Sequence, residues 1–330
     1  FDHYRERIIN QEYKPGERID SINRMMDRHG ISRETAKIVL SKLATEGYII
    51  KKAGKGSFVT FTREILSIWG IVVPFLSSNI EELINHLSTE SIKLKREIRY
   101  FLHYNDPNEE MRLVGSMIRE GYEAIMVVPN FDESRTADFY RNLNAGNTMI
   151  ILLDNTMGGS FFNYVIQSYD LGTKRAFNYL VKANDKNFLF LKDEGWRGKN
   201  LVQELMEQSL QFFISRQCPE RKLWTVSGLQ DLQEDFFRKN NIGCVICYTD
   251  RDAVRLANRI LSWKMKLPQD VSVVNYGNTE LTISGQIPVT AVDCRYPEMA
   301  RIAAFLVFCG SCARVTEQHV LEPELVVRKT

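Results

Sequence analysis

From residue 68 to the C-terminus, apolar runs of strand length alternate with amphipathic stretches of helix length, and this alternation constrains the fold more than any other feature. Strands are expected at Ile68–Val73, Arg99–Tyr104, Ala124–Val128, Met149–Leu153, Phe162–Ile166, Asn187–Leu191, Leu223–Val226, Cys244–Cys247 and Val271–Asn275. Helices fall between them, at Ile80–Lys95, Glu109–Glu120, Gly172–Lys182, Lys199–Ser215 and Asp252–Trp263. A strand that returns through a helix lies parallel to its predecessor, so the class is α/β with helices on both sheet faces. There are too many units for one ordinary sheet. Two doubly wound lobes are expected over residues 68–330, with a ligand at the carboxyl ends of the strands where the lobes meet.

The first 62 residues have a different texture. They carry 12 Lys or Arg against 8 Asp or Glu, a net charge of +4 in a chain whose total is +2. A basic small domain on a slightly acidic body suits an electrostatic footprint confined to one end. Tyr4–Asn10 reads as the end of a first helix and Tyr13-Lys14-Pro15-Gly16 as a turn. Asp20 or Ser21 can cap a second helix, with Ile22, Met25 and Met26 on its apolar stripe, and Gly30 ends it. Ser32 then caps a third helix in which Ala36, Val39, Leu40 and Leu43 face inward, leaving Arg33, Thr35 and Lys37 on or near its outward first turns. Gly47 stops that helix. Tyr48–Ala53 and Ser57–Phe61 form a hairpin around Gly54-Lys55-Gly56. A helix with a polar, cationic start can enter a major groove while a short wing lies on the neighbouring backbone. Residues 63–67 are read as a linker.

The pattern Pro15-Gly16-x-x-Ile19-x-Ser21, Gly30-Ile31-Ser32-Arg33-x-Thr35, Leu40-x-x-Leu43-x-x-Glu46-Gly47 and Gly54-x-Gly56-x-Phe58-Val59 resembles the GntR-type winged helix-turn-helix over nearly all of residues 1–60. The resemblance implies that Ser32, Arg33, Thr35 and Lys37 meet double-stranded DNA from the recognition helix, and that Gly54, Lys55 and Gly56 meet the minor groove or backbone. Two positions depart from it. Asp20 stands where the family usually has Pro, and Asn23 where it usually has an Arg that helps hold DNA.

The body carries its own resemblance. Ile71-Val72-Val73-Pro74, Asn105-Asp106-Pro107, Gly121-Tyr122-Glu123-Ala124-Ile125 and Leu152-Leu153-Asp154 come first. Leu267-Pro268-Gln269-Asp270-Val271, Pro288-Val289-Thr290-Ala291-Val292 and Leu321-Glu322-Pro323-Glu324 follow. In this order they resemble the effector-binding core of LacI-type repressors, itself similar to periplasmic sugar-binding proteins. A GntR-type head on such a body is similar to the arabinose-repressor group of sugar-operon regulators. The resemblance implies a sugar effector, a homodimer and a pseudo-palindromic operator. It places ligand contacts at the loop from Phe75 through Ser77 and Ser78, at Arg197 and at Asp250. Gly277 stands where an Asp is usual, with Asn278 beside it as the substitute. Asp154 and the ring of Trp196 complete the candidate set, because vicinal hydroxyls need bidentate partners and a stacking face.

No P-loop, G-x-S-x-G or H-E-x-x-H is present, so no catalytic residue, cofactor or metal site is expected. Cys244 and Cys247 lie three apart in an apolar strand and point to opposite faces, which makes them buried structural thiols. Cys309-Gly310-Ser311-Cys312 could close a thiol pair but has no second ligand pair at metal spacing. Six cysteines, no apolar run of membrane-spanning length and an opening of mixed charge suit a protein of the cytoplasm. Two other classes stay open. One is a DNA-binding dimer whose body serves only dimerisation; the other is a carbohydrate enzyme carrying a DNA-binding head.

Overall fold

A computed structural model describes residues 1–9, 12–60, 66–130, 135–155, 162–193, 200–230, 232–310 and 316–330. The head is α1 (Asp2–Ile9), α2 (Ile22–His29), α3 (Arg33–Thr45) and the antiparallel hairpin of β1 (Ile49–Lys52) with β2 (Gly56–Val59). The hydroxyls of Ser21 and Ser32 accept from Arg24 N and Thr35 N, so each of the two helices starts at a side-chain cap. Ile8, Ile19, Met25, Ala36, Leu40, Leu43 and Val59 make the core between the helices and the wing.

Asp20 therefore does not cap α2. It is buried, and accepts from Tyr4 Oη at 2.9 Å, Arg28 Nη1 at 2.8 Å and Tyr13 Oη at 3.4 Å. The carboxylate joins α1, the following turn and α2 at one point. That explains an acid at a position where the resemblance leads one to expect Pro.

The body begins with β3 (Leu66–Val73), two residues inside the expected linker. There follow α4 (Ser78–Lys93), β4 (Glu97–Leu102), α5 (Pro107–Glu120), β5 (Tyr122–Val127), α6 (Ala137–Arg141), β6 (Met149–Asp154) and β7 (Asn163–Gln167). The chain then enters a second lobe. This comprises α7 (Tyr169–Ala183), β8 (Asn187–Lys192), α8 (Leu201–Gln217), β9 (Leu223–Ser227), α9 (Glu234–Lys239) and β10 (Ile242–Cys247). It continues with α10 (Asp250–Ser262), β11 (Ser272–Tyr276), α11 (Glu280–Ser284) and β12 (Thr290–Asp293). The last elements are α12 (Tyr296–Cys309), β13 (Gln318–Leu321) and β14 (Glu324–Val326).

The sheet orders show how these parts divide. One six-stranded sheet runs β13-β7-β6-β5-β3-β4, parallel throughout; the other runs β14-β12-β11-β10-β8-β9, parallel except for β14. The two lobes are thus wound as expected, but the C-terminal segment serves both. Helix α12 packs along α4 and against β6 and β7 of the first lobe. β13 joins the first sheet and β14 the second. The chain crosses between lobes three times, after Gln167, after Asp293 and between Leu321 and Glu324.

Most expected elements shift by one to three residues. β4 ends at Leu102, because Tyr104 and Asn105 adopt the left-handed conformation that turns the chain into α5. Helices α6, α9, α11 and α12, and strands β12, β13 and β14, lie where the sequence pattern predicts no element. Helix α12 packs on α4 and the sheet with one side, and its exposed side also carries apolar residues, Phe305 and Phe308, so the sequence offers little of the 3.6-residue periodicity that marks a helix. The cysteines of β10 behave as read: Cys244 joins the core on one side of the second sheet and Cys247 the core on the other.

Candidate DNA-binding and ligand-binding sites

In the head, Arg33, Thr35 and Lys37 are exposed on α3. Ser32 and Thr35 hold each other, their hydroxyl oxygens 2.8 Å apart, so both are committed to starting the helix. Lys37 Nζ lies 3.2 Å from Glu34 Oε2. In the wing, Gly54 and Gly56 take φ of +68° and +107°, and Lys55 stands at the tip between them. A Cβ on Gly56 would meet only the movable end of the exposed Arg18 side chain, so the demand for glycine here comes from its positive φ. Lys51 Nζ donates to Ser41 Oγ at 2.8 Å and fastens the wing to α3. Arg24 does not replace the missing arginine at position 23 freely; it leans toward Asp20 Oδ1 at 3.7 Å.

Between the lobes lies a cavity of 520 Å³. Its first wall is the turn after β3 and the start of α4, where Ser77 Oγ accepts from Ile80 N and caps the helix. Its second wall is the start of α10 and the end of β11. Of the expected ligand residues, Phe75, Ser77, Ser78, Asp154 and Asp250 line it. Asn278 does not; it donates to Asp293 Oδ2 at 3.0 Å and its amide oxygen takes the Arg328 guanidinium. The side chain expected at the ligand is thus spent tying β12 to the C-terminal segment. Trp196 and Arg197 lie outside the described residues, as does Cys312 of the C-terminal thiol pair.

The walls touch across the cleft. Ser78 donates to the Asp250 carboxylate, which Thr279 Oγ1 also reaches, and Asn79 Nδ2 donates to the Tyr276 carbonyl at 3.4 Å. Gly277, with φ of +118°, leaves room for the Asn79 amide.

Asp154, at the end of β6, accepts from Tyr169 Oη at 2.9 Å and from Gln167 and Tyr296. Tyr169 follows the first crossover and Tyr296 the second, so one buried carboxyl holds two of the three hinge strands. Burial pushes both Asp154 and Asp250 above the usual carboxylate range, against the hydrogen bonds that favour their charged forms. Burial also keeps the Tyr169, Tyr276 and Tyr296 hydroxyls protonated as donors. The side-chain oxygens Asn79 Oδ1 and Gln167 Oε1 are buried and have no partner among the described residues. The phenols and carboxyls are thus held by one another, by neighbouring side chains or by backbone, and the two unpaired amide oxygens and the lining rings are, among the described residues, the groups left for a ligand.

Residues 1–59 match the family described as bacterial regulatory proteins, gntR family, and residues 196–330 match the periplasmic binding protein-like domain. The chain joins a GntR-type winged-helix head to a periplasmic-binding-protein-like body. It is 21% identical over an alignment of 355 residues to the arabinose metabolism transcriptional repressor of Halalkalibacterium halodurans, covering 98% of this chain and 93% of that one. A LacI family transcriptional regulator from Silicibacter pomeroyi superposes with a TM-score of 0.69 at 13% identity, over 94% of this chain and 99% of that one. A periplasmic binding protein/LacI regulator from Alkaliphilus metalliredigens, solved with D-xylulofuranose, superposes with a TM-score of 0.63 at 14% identity, over 80% of this chain and 98% of that one.

Tyr169, which stands where the resembled family usually has part of an acid-Asn pair, lines the cavity, and so do Asn79, Gln167, Asp193, Tyr248 and Tyr276, which the motifs do not mark. A positional signal existed for most of them: each except Asn79 stands at, or one or two residues past, the carboxyl end of a strand. Among the described residues, no group of three or more His, Cys, Asp or Glu side chains could hold a metal, and no helix is long and apolar enough to cross a membrane.

Proposed function

We propose that this chain is a cytoplasmic, homodimeric transcriptional repressor of a sugar-utilisation operon, released from its operator when a monosaccharide binds between the lobes. The observation that carries this reading is the interlobe cavity. Its two walls hydrogen-bond to each other, and the same acid that lines it, Asp154, holds two hinge strands. A ligand there can change the relation of the lobes, and β3 of the first lobe is the strand that follows the head in the chain. The relatives' names support the class: a repressor of arabinose metabolism, and a regulator solved with a pentulose. For the dimer, α4 and α12 pack side by side and leave Ile92, Phe305 and Phe308 exposed on the first lobe. Two heads held at one spacing suit a pseudo-palindromic operator. On this reading Ser32, Arg33, Thr35, Lys37, Gly54, Lys55 and Gly56 serve the DNA interface, and Phe75, Ser77, Ser78, Asp154 and Asp250 the ligand.

Thermal unfolding of the full chain with a panel of monosaccharides tests the sensor. A ligand at a hundred times its Kd adds about 2.7 kcal/mol to stability, so one sugar or a few should raise Tm. A flat panel alongside intact operator binding would leave the body as a dimerisation module, and turnover of a sugar would point to an enzyme.

A further inference from the structure

We infer that Ile38 reads a base: on the operator its side chain packs against the 5-methyl group of a thymine in the major groove. This rests on α3 being the recognition helix of the proposed function. α3 buries Ala36, Val39, Leu40 and Leu43. At 3.6 residues per turn, the line opposite that stripe runs through Glu34, Ile38 and Ser41. Arg33 and Lys37 lie to one side of the line and Thr35 to the other. The cations therefore flank the outward face, and its centre holds a carboxylate and a bare aliphatic side chain.

That distribution fixes what each part can meet. Phosphates attract Arg33 and Lys37 and repel Glu34. The centre of the face therefore turns to the base edges, where cytosine N4 is a donor a carboxylate can accept from. Ile38 is one turn further along the same line and meets the same groove floor. It is 64% exposed, more than any other large apolar side chain in the described part of the head. No internal packing accounts for it. The apolar feature that the major groove offers an aliphatic side chain is the thymine methyl.

The test uses the full chain and a duplex selected by it from a random library at fixed salt. Each thymine is then replaced singly by uracil, which removes only the methyl. One thymine per half-site should weaken wild-type binding about fourfold when replaced, the worth of one buried methyl-sized group. The Ile38→Ala variant should bind the thymine and uracil duplexes equally, while Ile38→Val keeps most of the discrimination. The salt dependence of Ile38→Ala should match wild type, whereas Lys37→Ala should lower the slope by about one. Equal sensitivity to methyl loss in Ile38→Ala and wild type, or no sensitive thymine in either, overturns the inference and leaves the DNA-binding reading standing. Failure to enrich any sequence overturns both.

Discussion

Glu82 faces acids that belong to the other lobe, and its removal should stabilise the protein in a pH-dependent way. Its side chain, on α4, is 30% exposed, with His86 Nε2 3.7 Å from its Oε1. Burial, and then the charges of Asp293 and Asp250 on the second lobe, raise its carboxyl from 4.5 to about 7. At about 1.4 kcal/mol per unit, that rise corresponds to at most about 3 kcal/mol, and screening at this exposure reduces it to about 1 kcal/mol. The sign follows from proton uptake. Because the folded pKa is the higher one, the folded state holds more protons than the unfolded state between pH 4.5 and 7, so stability falls as pH rises through that window. Glu82→Gln removes the loss. The variant should exceed wild type by about 1 kcal/mol, or roughly 2 °C in Tm, at pH 8, and the gap should close towards pH 5. Thermal unfolding of both chains from pH 5 to 8 measures it. Parallel pH profiles, or a variant less stable at pH 8, would refute the raised carboxyl at Glu82.

Three further outcomes are expected. Asp20→Ala leaves two phenols and the Arg28 guanidinium without their buried acceptor and should cost the head about 3 kcal/mol, read by urea unfolding followed at the head; a loss below about 0.5 kcal/mol would show that the node is not needed. Gly172→Ala puts a methyl into the Tyr276 hydroxyl where α7 meets β11, and should lower stability by about 1–3 kcal/mol in denaturant melts without changing DNA affinity per folded molecule. Lys55→Ala at the wing tip should weaken all duplexes alike and lower the salt slope by about one, measured by anisotropy at several salt concentrations; a sequence-selective loss would contradict a backbone contact.

The fold was legible where the pattern had a clear period. Runs such as Ile71-Val72-Val73 and Cys244-Val245-Ile246-Cys247 are continuous and short, as parallel strands buried on both faces must be. Ser32 was legible as a cap because Thr35 stands at the right distance. Helix α12 was not, because its exposed stripe is itself largely apolar, with Phe305 and Phe308 facing out, so sequence shows little contrast between its two faces. Strands β13 and β14 are short edge strands with exposed residues, and only tertiary pairing makes them strands. In the cavity, Phe75, Ser77, Ser78 and Asp250 were legible through the resemblance to the LacI-type body, and Asp154 as a carboxylate that could serve vicinal hydroxyls. Asn278 misled for a physical reason: its neighbour in space is Asp293, which a linear pattern does not bring beside it. The tyrosine cluster around Asp154 was hidden because Tyr169 and Tyr296 come from two crossovers far apart in sequence.

Fluorescence anisotropy of the full chain on a selected operator, titrated at fixed salt with individual monosaccharides, tests the linkage between cavity and head most directly. At least one sugar that also raises Tm should weaken DNA binding by about 5- to 150-fold, the range of a coupling of about 1–3 kcal/mol, and Asp154→Asn should blunt the response while leaving sugar-free DNA binding intact. A sugar that binds and raises Tm but leaves operator affinity unchanged would contradict the account.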